Sequence, residues 1–350
     1  MATALGSSAA PAAALAPRRG GSTPGGLGEQ PPTPWNGSLP TLSRLLAADQ
    51  ASDRVLVLDP NDIDWLNPDG PTGPAEGLRS AQQAALWSWS PTDDRSLDDL
   101  APARTWQLVS EAKYRVRDGR QWLLTCASRG LAAVVSYPSG QVHWAGVADG
   151  NVHTMELLPD GNVAIAASES GFVRVCTASQ GERSTGWVQF DLPGAHGLHW
   201  DAARNVLWAL GDTRLVALAV GGSPAVPELS AVRVVRLPDS GGHDLAPVAG
   251  DPDLLWVTTG RHVHQYSVTE AAFVPVRSGQ GIGGQGIDGP GVKSVGDDPL
   301  TGQVLTVSPA EDNSCAWCTS TIRFHGPDGS RRIAGTSLYK ARWLPRPYYA

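Results

Sequence analysis

With 350 residues, the chain is long enough for one large domain or two of ordinary size. The net charge of −7 argues against a nucleic-acid-binding protein, and without any run of 18 apolar residues we predict no membrane-spanning helix. Apolar residues make up 41% of the chain, which is enough for a substantial core. The 40 glycines and 28 prolines are spread along the sequence, as expected where turns join many short strands.

The N-terminal segment, residues 1–38, consists mainly of Ala, Pro, Gly and Ser and carries no strand pattern. We therefore predict a disordered leader, followed by a single domain over residues 39–350. No basic residue precedes the weakly apolar part of the leader, as a secretory signal would require. Two interpretations stay open: a flexible leader on a cytoplasmic protein, or the remnant of a signal whose start lies upstream in an exported protein.

After the leader, short apolar runs alternate with turn residues, and no amphipathic helix is indicated. The first three predicted strands span residues 42–48, 54–59 and 85–90. Further on, Pro159-Asp160-Gly161-Asn162 joins two strands, because Asp, Asn and Gly suit the positive φ of a tight turn. This hairpin belongs to a unit of about four strands that is repeated along the rest of the chain.

The repeated units begin 40 to 50 residues apart, with a Lys or His at the start of each. These residues are Lys113, His153, His196, His243, Lys293 and Lys340. Four strands within such a period are typical of one blade of a β-propeller. We therefore predict an all-β fold, a six-bladed β-propeller.

The two ends of the chain complete the predicted ring. The last unit has only its first strand, at Lys340, whereas the N-terminal region supplies three strands that lack a first one. Pairing the C-terminal strand with the N-terminal strands gives a sixth blade and leaves no open sheet edge. The alternative, a pair of irregular β-sandwiches, explains neither the period nor the complementary ends.

The first strand of each propeller blade lines the central channel, so the six Lys and His residues that open the units form the candidate site. Three of them are the only lysines of the chain, which otherwise uses 24 arginines. His199 could replace His196 as the third member. Polar residues also line propeller channels without any function, but six basic positions out of six favour a ligand site.

Two kinds of chemistry follow from this ring. The imidazoles of His153, His196 and His243 could hold a divalent metal with an open position. Three ammonium groups repel one another unless an anion neutralises them, so we expect an anionic ligand. Two carboxylates, Glu156 and Asp244, could join the histidines, but strand alternation is expected to point them away.

Four cysteines occur, of which Cys315 and Cys318 form a C-x-x-C pair. A zinc site would need two more ligands, and Cys126 and Cys176 lie inside predicted strands of other blades. We expect a small loop disulfide if the protein is exported, and two reduced thiols otherwise.

A set of phrases resembles a bacterial propeller family of uncharacterised function: LLAADQASDRVLVLDP, ALWSWSP, GNVHTMELLPDGNVAIAAS, AHGLHWD, GGHDL and GVKS, in this order. The resemblance covers roughly residues 42–345. It implies a six-bladed propeller and, for many relatives, export, but no established activity. The channel is also similar in kind to that of propeller lyases acting on oligogalacturonate, which combine a His-bound metal with basic residues; fold alone does not imply this function.

Three functional hypotheses remain. The first is a monomeric propeller that binds an anionic small molecule, such as an acidic sugar, through all six ring residues, directly or through a metal on the histidines. The second is a metal-dependent lyase or hydrolase acting on a uronate-type substrate, with Lys113 or Lys340 as the catalytic base. The third is a protein-interaction scaffold that uses the blade rims.

Overall fold

The computed structural model describes residues 43–62, 81–276, 286–310 and 315–345, so the predicted leader lies outside the described residues. All of the described residues belong to one compact unit, Pro34–Ala350. No helix within them has the length and apolar character needed to span a bilayer. Helices are short here: α1 (Ala81–Ala84), α2 (Pro102–Thr105) and the 3₁₀ turns Pro91–Asp93, Arg95–Leu100 and Ala178–Gln180.

The other regular elements of the described residues are short antiparallel strands. The first three are β1 (Arg44–Asp49), β2 (Arg54–Leu58) and β3 (Trp87–Trp89). Blade 1 follows, with β4 (Val109–Arg117), β5 (Arg120–Ala127), β6 (Leu131–Ser136) and β7 (Val142–Val147). Blade 2 consists of β8 (Val152–Leu157), β9 (Val163–Ala167), β10 (Phe172–Cys176) and β11 (Trp187–Asp191).

The remaining blades have the same plan. Blade 3 contains β12 (Gly197–Asp201), β13 (Val206–Leu210), β14 (Arg214–Ser223) and β15 (Val226–Arg236). Blade 4 contains β16 (Asp244–Val248), β17 (Asp251–Thr258), β18 (Val263–Ser267) and β19 (Ala272–Val274). Blade 5 contains β20 (Ser294–Asp297), β21 (Val304–Val307), β22 (Thr321–His325) and β23 (Gly329–Arg332), and the last strand is β24 (Leu338–Leu344).

The sixth blade has the strand order β24-β1-β2-β3, so both ends of the described chain meet in one sheet. Ala341 of β24 lies opposite Ala47 of β1 in an antiparallel pair. The prediction of a six-bladed β-propeller closed in this way is confirmed. Closure matters for the site, because it brings the side chains of β24 into the channel beside those of the other five inner strands.

The hydrophobic core lies between neighbouring blades. Inner and middle strands are buried on both faces, as in the run Val163–Ala167, and large side chains such as Trp208 and Trp256 are almost fully enclosed. The hairpin after β8 turns where the sequence indicates: Gly161 has φ of +90°, and its N–H donates to Leu158 O at 3.0 Å. The tightly packed blades form a rigid frame for the residues that line the channel.

The alignment of the inner strands corrects the predicted ring. Register shifts in three blades leave Ser110, His153 and Tyr339 at equivalent bulged positions. Lys113 therefore lies three residues further along its strand than His153 does, and Lys340 lies one residue further. The sequence register was wrong for these two blades, because it was set on the lysines themselves.

Candidate functional site

One mouth of the channel carries a ring with one residue from each blade, which we call the mouth ring. Its members are Ser110, His153, His196, His243, Lys293 and Tyr339. Three members directly precede their inner strands and are held to the neighbouring strand by backbone hydrogen bonds. The N–H groups of His196, His243 and Lys293 donate to the carbonyls of Leu210, Thr258 and Val307 at 2.8, 2.9 and 2.8 Å, respectively. All members except Ser110 line a cavity of about 550 Å³.

The three histidines of the mouth ring lie side by side, and the first two rings stack. The ring centroids of His153 and His196 are 4.0 Å apart with planes 19° from parallel, whereas those of His196 and His243 are 5.1 Å apart with planes tilted by 53°. His196 Nδ1–H donates to Gly194 O at 2.9 Å, so Nε2 of the neutral ring is unprotonated and can accept a hydrogen bond. His153 Nδ1 lies 3.2 Å from the Tyr339 hydroxyl.

Burial keeps these imidazoles neutral. It lowers the pKa of His196 to about 4 and that of His243 to about 3, with further lowering by Lys293 and Lys340. Burial, followed by the neighbouring His196 and Lys340, also holds the pKa of His153 well below its usual value. At neutral pH the mouth ring therefore offers uncharged hydrogen-bonding groups on its histidine side.

Lys293 is the cation of the mouth ring. Its ammonium donates to His243 Nε2 at 2.9 Å, which assigns the ring proton of His243 to Nδ1. No carboxylate among the described residues lies within 4.0 Å of Lys293 Nζ. Burial first, and the charge of Lys340 second, lower the pKa of Lys293 to about 8.

Lys340 lies below the mouth, where carboxylates already neutralise it. Its Nζ is 3.4 Å from Glu111 and 3.2 Å from Asp244, and its side chain is 1% exposed. The expectation that alternation points Asp244 away from the channel is wrong. The reason is the register: His243 precedes β16, and Asp244 takes the inward position equivalent to Lys340.

Arg342 crosses the channel and closes this cluster. Its guanidinium makes two hydrogen bonds to Glu111 at 2.9 and 3.1 Å and two to Asp244 at 2.6 and 2.7 Å. Burial alone would raise the pKa of both carboxyls, but Arg342 and Lys340 hold both pKa values below the usual range. Blades 1, 4 and 6 are thereby joined by ion pairs whose carboxylates are fully buried.

Lys113 lies deeper still and outside the mouth. Its Nζ donates to Leu198 O at 2.7 Å and is 3.7 Å from Glu156 and 3.9 Å from Glu111. Glu156 also accepts two hydrogen bonds from Arg115, at 2.6 and 2.7 Å. Glu156 therefore does not point away from the channel side chains as expected, and its charge is used by Lys113 and Arg115.

The histidines do not form the predicted metal centre. Across the described residues, no group of three or more His, Cys, Asp or Glu side chains is arranged to hold a metal ion. The residues present therefore do not fit a three-histidine metal site, and no step is assigned to a metal.

A short loop brings an aromatic side chain to the cavity. Cys315 and Cys318 form a disulfide, and Trp317 between them lines the cavity and donates its indole N–H to Gln50 Oε1 at 3.0 Å. Cys126 and Cys176 are buried free thiols whose pKa burial raises, to about 12 for Cys176. The sequence predicted the disulfide only for an exported protein and gave no role to Trp317.

Sequence reasoning missed Glu111, Tyr339 and Arg342. All three lie within two residues of a predicted ring lysine, so a register set on strand pairing would have found them. Glu111 precedes Lys113 by two residues, and Tyr339 and Arg342 flank Lys340. A bulge at the start of an inner strand leaves no clear mark in the sequence, which explains the shift.

Fold and site together define a six-bladed β-propeller with a polar, histidine-lined cavity at one mouth of its channel. The chain belongs to a family of unknown function, DUF6528, whose family model matches residues 75–348. The suspected kinship with an uncharacterised propeller family is thus confirmed.

Solved structures give further likenesses in the backbone. A protein of unknown function from Bacteroides caccae is 11% identical with a TM-score of 0.49, covering 86% of this chain and 98% of that one. Sqt1 from Saccharomyces cerevisiae is 13% identical (TM-score 0.39, 69% and 60% covered), and a streptogramin B lyase is 12% identical (TM-score 0.38, 69% and 69% covered). No curated protein matches the sequence. These values carry no conclusion about ligand or reaction.

Proposed function

We propose that this propeller binds an anionic small molecule of the acidic-sugar type in the mouth cavity, with Lys293 as the counterion of its carboxylate. One observation carries the proposal: Lys293 is an ammonium in the cavity lining that has no carboxylate partner among the described residues. A partly buried ammonium without a carboxylate partner is costly, and a ligand carboxylate would offset that cost.

The other channel lysines do not require a ligand. The deeper cluster contains four cations, Lys113, Arg115, Lys340 and Arg342, and three carboxylates, Glu111, Glu156 and Asp244. Its charges are therefore largely balanced within the protein. The proposed anion site is narrower than the six-residue ring that the sequence predicts, and it is centred on Lys293.

The rest of the cavity suits a sugar. Neutral imidazoles can exchange hydrogen bonds with hydroxyl groups, and the unprotonated Nε2 of His196 is one such acceptor. Trp317 offers an apolar ring face at the rim, where it is 44% exposed. The volume of about 550 Å³ lies in the usual range of small-molecule sites.

Charges of both signs lie on the cavity rim. Arg129, Asp149 and Glu169 line the cavity but are exposed, so water screens their fields. Anion binding should therefore depend on Lys293 far more than on Arg129. Neither the metal-dependent lyase nor the interaction scaffold has a comparable observation in its favour. For the lyase, no group of three or more His, Cys, Asp or Glu side chains among the described residues is arranged to hold a metal ion.

Calorimetric titration with methyl galacturonide tests the proposal, with methyl galactoside as its neutral counterpart. We expect the uronide to bind wild-type protein and the neutral sugar to bind at least about tenfold more weakly, because a charge-assisted hydrogen bond contributes about 1.5–3 kcal/mol. Lys293→Met should abolish that difference, and Lys293→Arg should retain most of it.

The matched control is Arg129→Met, which removes a cation from the same cavity and should change uronide affinity less than about threefold. Circular dichroism should show Lys293→Met folded, since it removes an unpaired charge and adds apolar packing. Unchanged uronide binding by folded Lys293→Met would contradict the proposal.

We also propose that the protein works outside the cytoplasm, on the ground that disulfides such as Cys315–Cys318 persist in oxidising compartments. Thiol titration of protein isolated from its native host without reductant tests this. Two reactive thiols at these positions would count against export.

A further inference from the structure

Lys293 differs from the two other lysines in what surrounds its nitrogen. Lys113 donates to a carbonyl and lies near two carboxylates, and Lys340 lies between Glu111 and Asp244; their residues are 3% and 1% exposed. Lys293 lines the open cavity, and its one protein partner in the described residues is a neutral imidazole nitrogen. Its amine is thus the one of the three that a small molecule in the cavity can reach.

The surroundings of Lys293 favour loss of a proton. Burial lowers the pKa of Lys293, and its hydrogen-bond partner is an imidazole, which stabilises the ammonium less than a carboxylate would. The groups that face Lys293 are His243, hydrogen-bonded to it, and Lys340, which repels it; the other members of the mouth ring are neutral or aromatic. Partly buried amines in such surroundings are nucleophiles for carbonyl carbon.

We propose that Lys293 forms a reversible imine with an anionic carbonyl compound, of which a 2-oxo acid is the simplest member, in the mouth cavity. The inference rests on the proposed function in one respect: the carboxylate must first be drawn to the same nitrogen. It goes beyond binding, because it assigns a covalent chemistry to the site.

The step balances without any oxidant or reductant. The ammonium loses a proton, and the amine lone pair attacks the carbonyl carbon, forming the C–N bond while the carbonyl oxygen takes up a proton. The carbinolamine then expels its hydroxyl as water as the nitrogen lone pair forms C=N. Amine, oxo acid and one proton thus give an iminium ion and one water.

The iminium nitrogen keeps its positive charge, so the ligand carboxylate still has its counterion after the bond forms. This explains why an anionic carbonyl compound fits the site better than a neutral one. A neutral ketone lacks the attraction to Lys293 before the reaction and the ion pair after it.

Reductive trapping tests the inference on the full chain. The protein is incubated with pyruvate and cyanoborohydride, and digests are read by mass spectrometry. Burial lowers the pKa of both Lys293 and Lys113 to about 8, so basicity alone does not separate these two amines. Access separates them, because Lys293 lines the cavity, whereas Lys113 and Lys340 are 3% and 1% exposed. We therefore expect the adduct on Lys293 well before Lys113 or Lys340, at a rate that rises with pH up to about 8 and then levels off.

Two controls make the experiment decisive. Lys293→Arg keeps the charge but cannot form the imine, so it should show no adduct in that peptide while circular dichroism shows a folded protein. Butanone, a neutral carbonyl of similar size, should label Lys293 at least about tenfold more slowly than pyruvate.

Label confined to the α-amine, or spread equally over the three lysines, would overturn the inference. Binding of methyl galacturonide, which has no free carbonyl, separates the two proposals. If that ligand binds and Lys293 is not labelled, the anion site stands and the imine fails. If Lys293 is labelled and the uronide does not bind, the acidic-sugar function fails and the imine stands.

Discussion

Arg342 joins three blades across the channel, and its replacement by Met tests how much that contact stabilises the ring. Arg342→Met removes four hydrogen bonds to Glu111 and Asp244, two carboxylates whose side chains are 0% exposed. Removing one partner of a buried, hydrogen-bonded ion pair costs about 3–5 kcal/mol. Lys340 stays near both carboxylates, so we expect the lower end, about 3 kcal/mol.

The matched control is an exposed ion pair at the same distance. Arg54 and Asp93 approach to 2.6 Å, as Arg342 and Asp244 do, but the side chain of Asp93 is 58% exposed. Arg54→Met should therefore cost less than about 1 kcal/mol. Both variants lose the same side chain, but Arg54 loses one exposed carboxylate partner, whereas Arg342 loses two buried ones.

Urea unfolding followed by tryptophan fluorescence measures both free energies. Equal costs for Arg342→Met and Arg54→Met would refute the view that the channel cluster holds the ring closed. If Arg342→Met does not fold, Arg342→Lys serves in its place. It keeps the charge but loses the two-pronged contact, so an intermediate cost of about 1–2 kcal/mol is expected.

Three further outcomes are expected. Because burial lowers the pKa of His196 to about 4, the unfolded chain binds more protons than the folded protein below pH 6.5. The free energy of unfolding should therefore fall as the pH drops from 6.5 to 4, and His196→Gln should make that fall shallower. An equally steep fall in the variant would contradict the burial of His196. Trp317→Ala should weaken methyl galacturonide binding about threefold to tenfold while the urea midpoint stays within error, and undiminished affinity would remove the indole from the site. Cys126 and Cys176 are buried with raised pKa values, so a thiol reagent should label them only after denaturation; fast labelling of native protein would contradict their burial.

The propeller architecture could be predicted from the sequence because each blade repeats the same types of turn residue. The turn at Asp160-Gly161 and the equivalent turns of other blades fix the period without knowledge of any contact. The closure of the ring followed from counting strands at the two ends. The predicted strand bounds agree with the observed ones within a few residues. The differences are larger where a bulge lengthens or shifts a strand: β4 begins at Val109 rather than at the predicted Lys113.

Only part of the candidate site could be predicted from the sequence. His153, His196, His243 and Lys293 meet at one mouth as the repeat indicates, since each lies at the start of an inner strand. The contacts of Arg342 could not be predicted, because Asp244 of blade 4 and Glu111 of blade 1 meet it only after the ring closes. These contacts join residues 98 and 231 positions apart, which no local sequence pattern can relate.

The central claim is that Lys293 is an anion-binding ammonium without a carboxylate partner in the protein. Its most direct test is a measurement of the Lys293 pKa by NMR, which is practical because the chain has only three lysines. Protein labelled with ¹³C at the lysine ε-carbon gives three signals, and the signal that Lys293→Arg removes belongs to Lys293. We expect Lys293 to titrate near pH 8 in the free protein and at higher pH with methyl galacturonide bound, because the ligand carboxylate stabilises the ammonium. A Lys293 signal that titrates near 10.5 and does not respond to the uronide would contradict the claim.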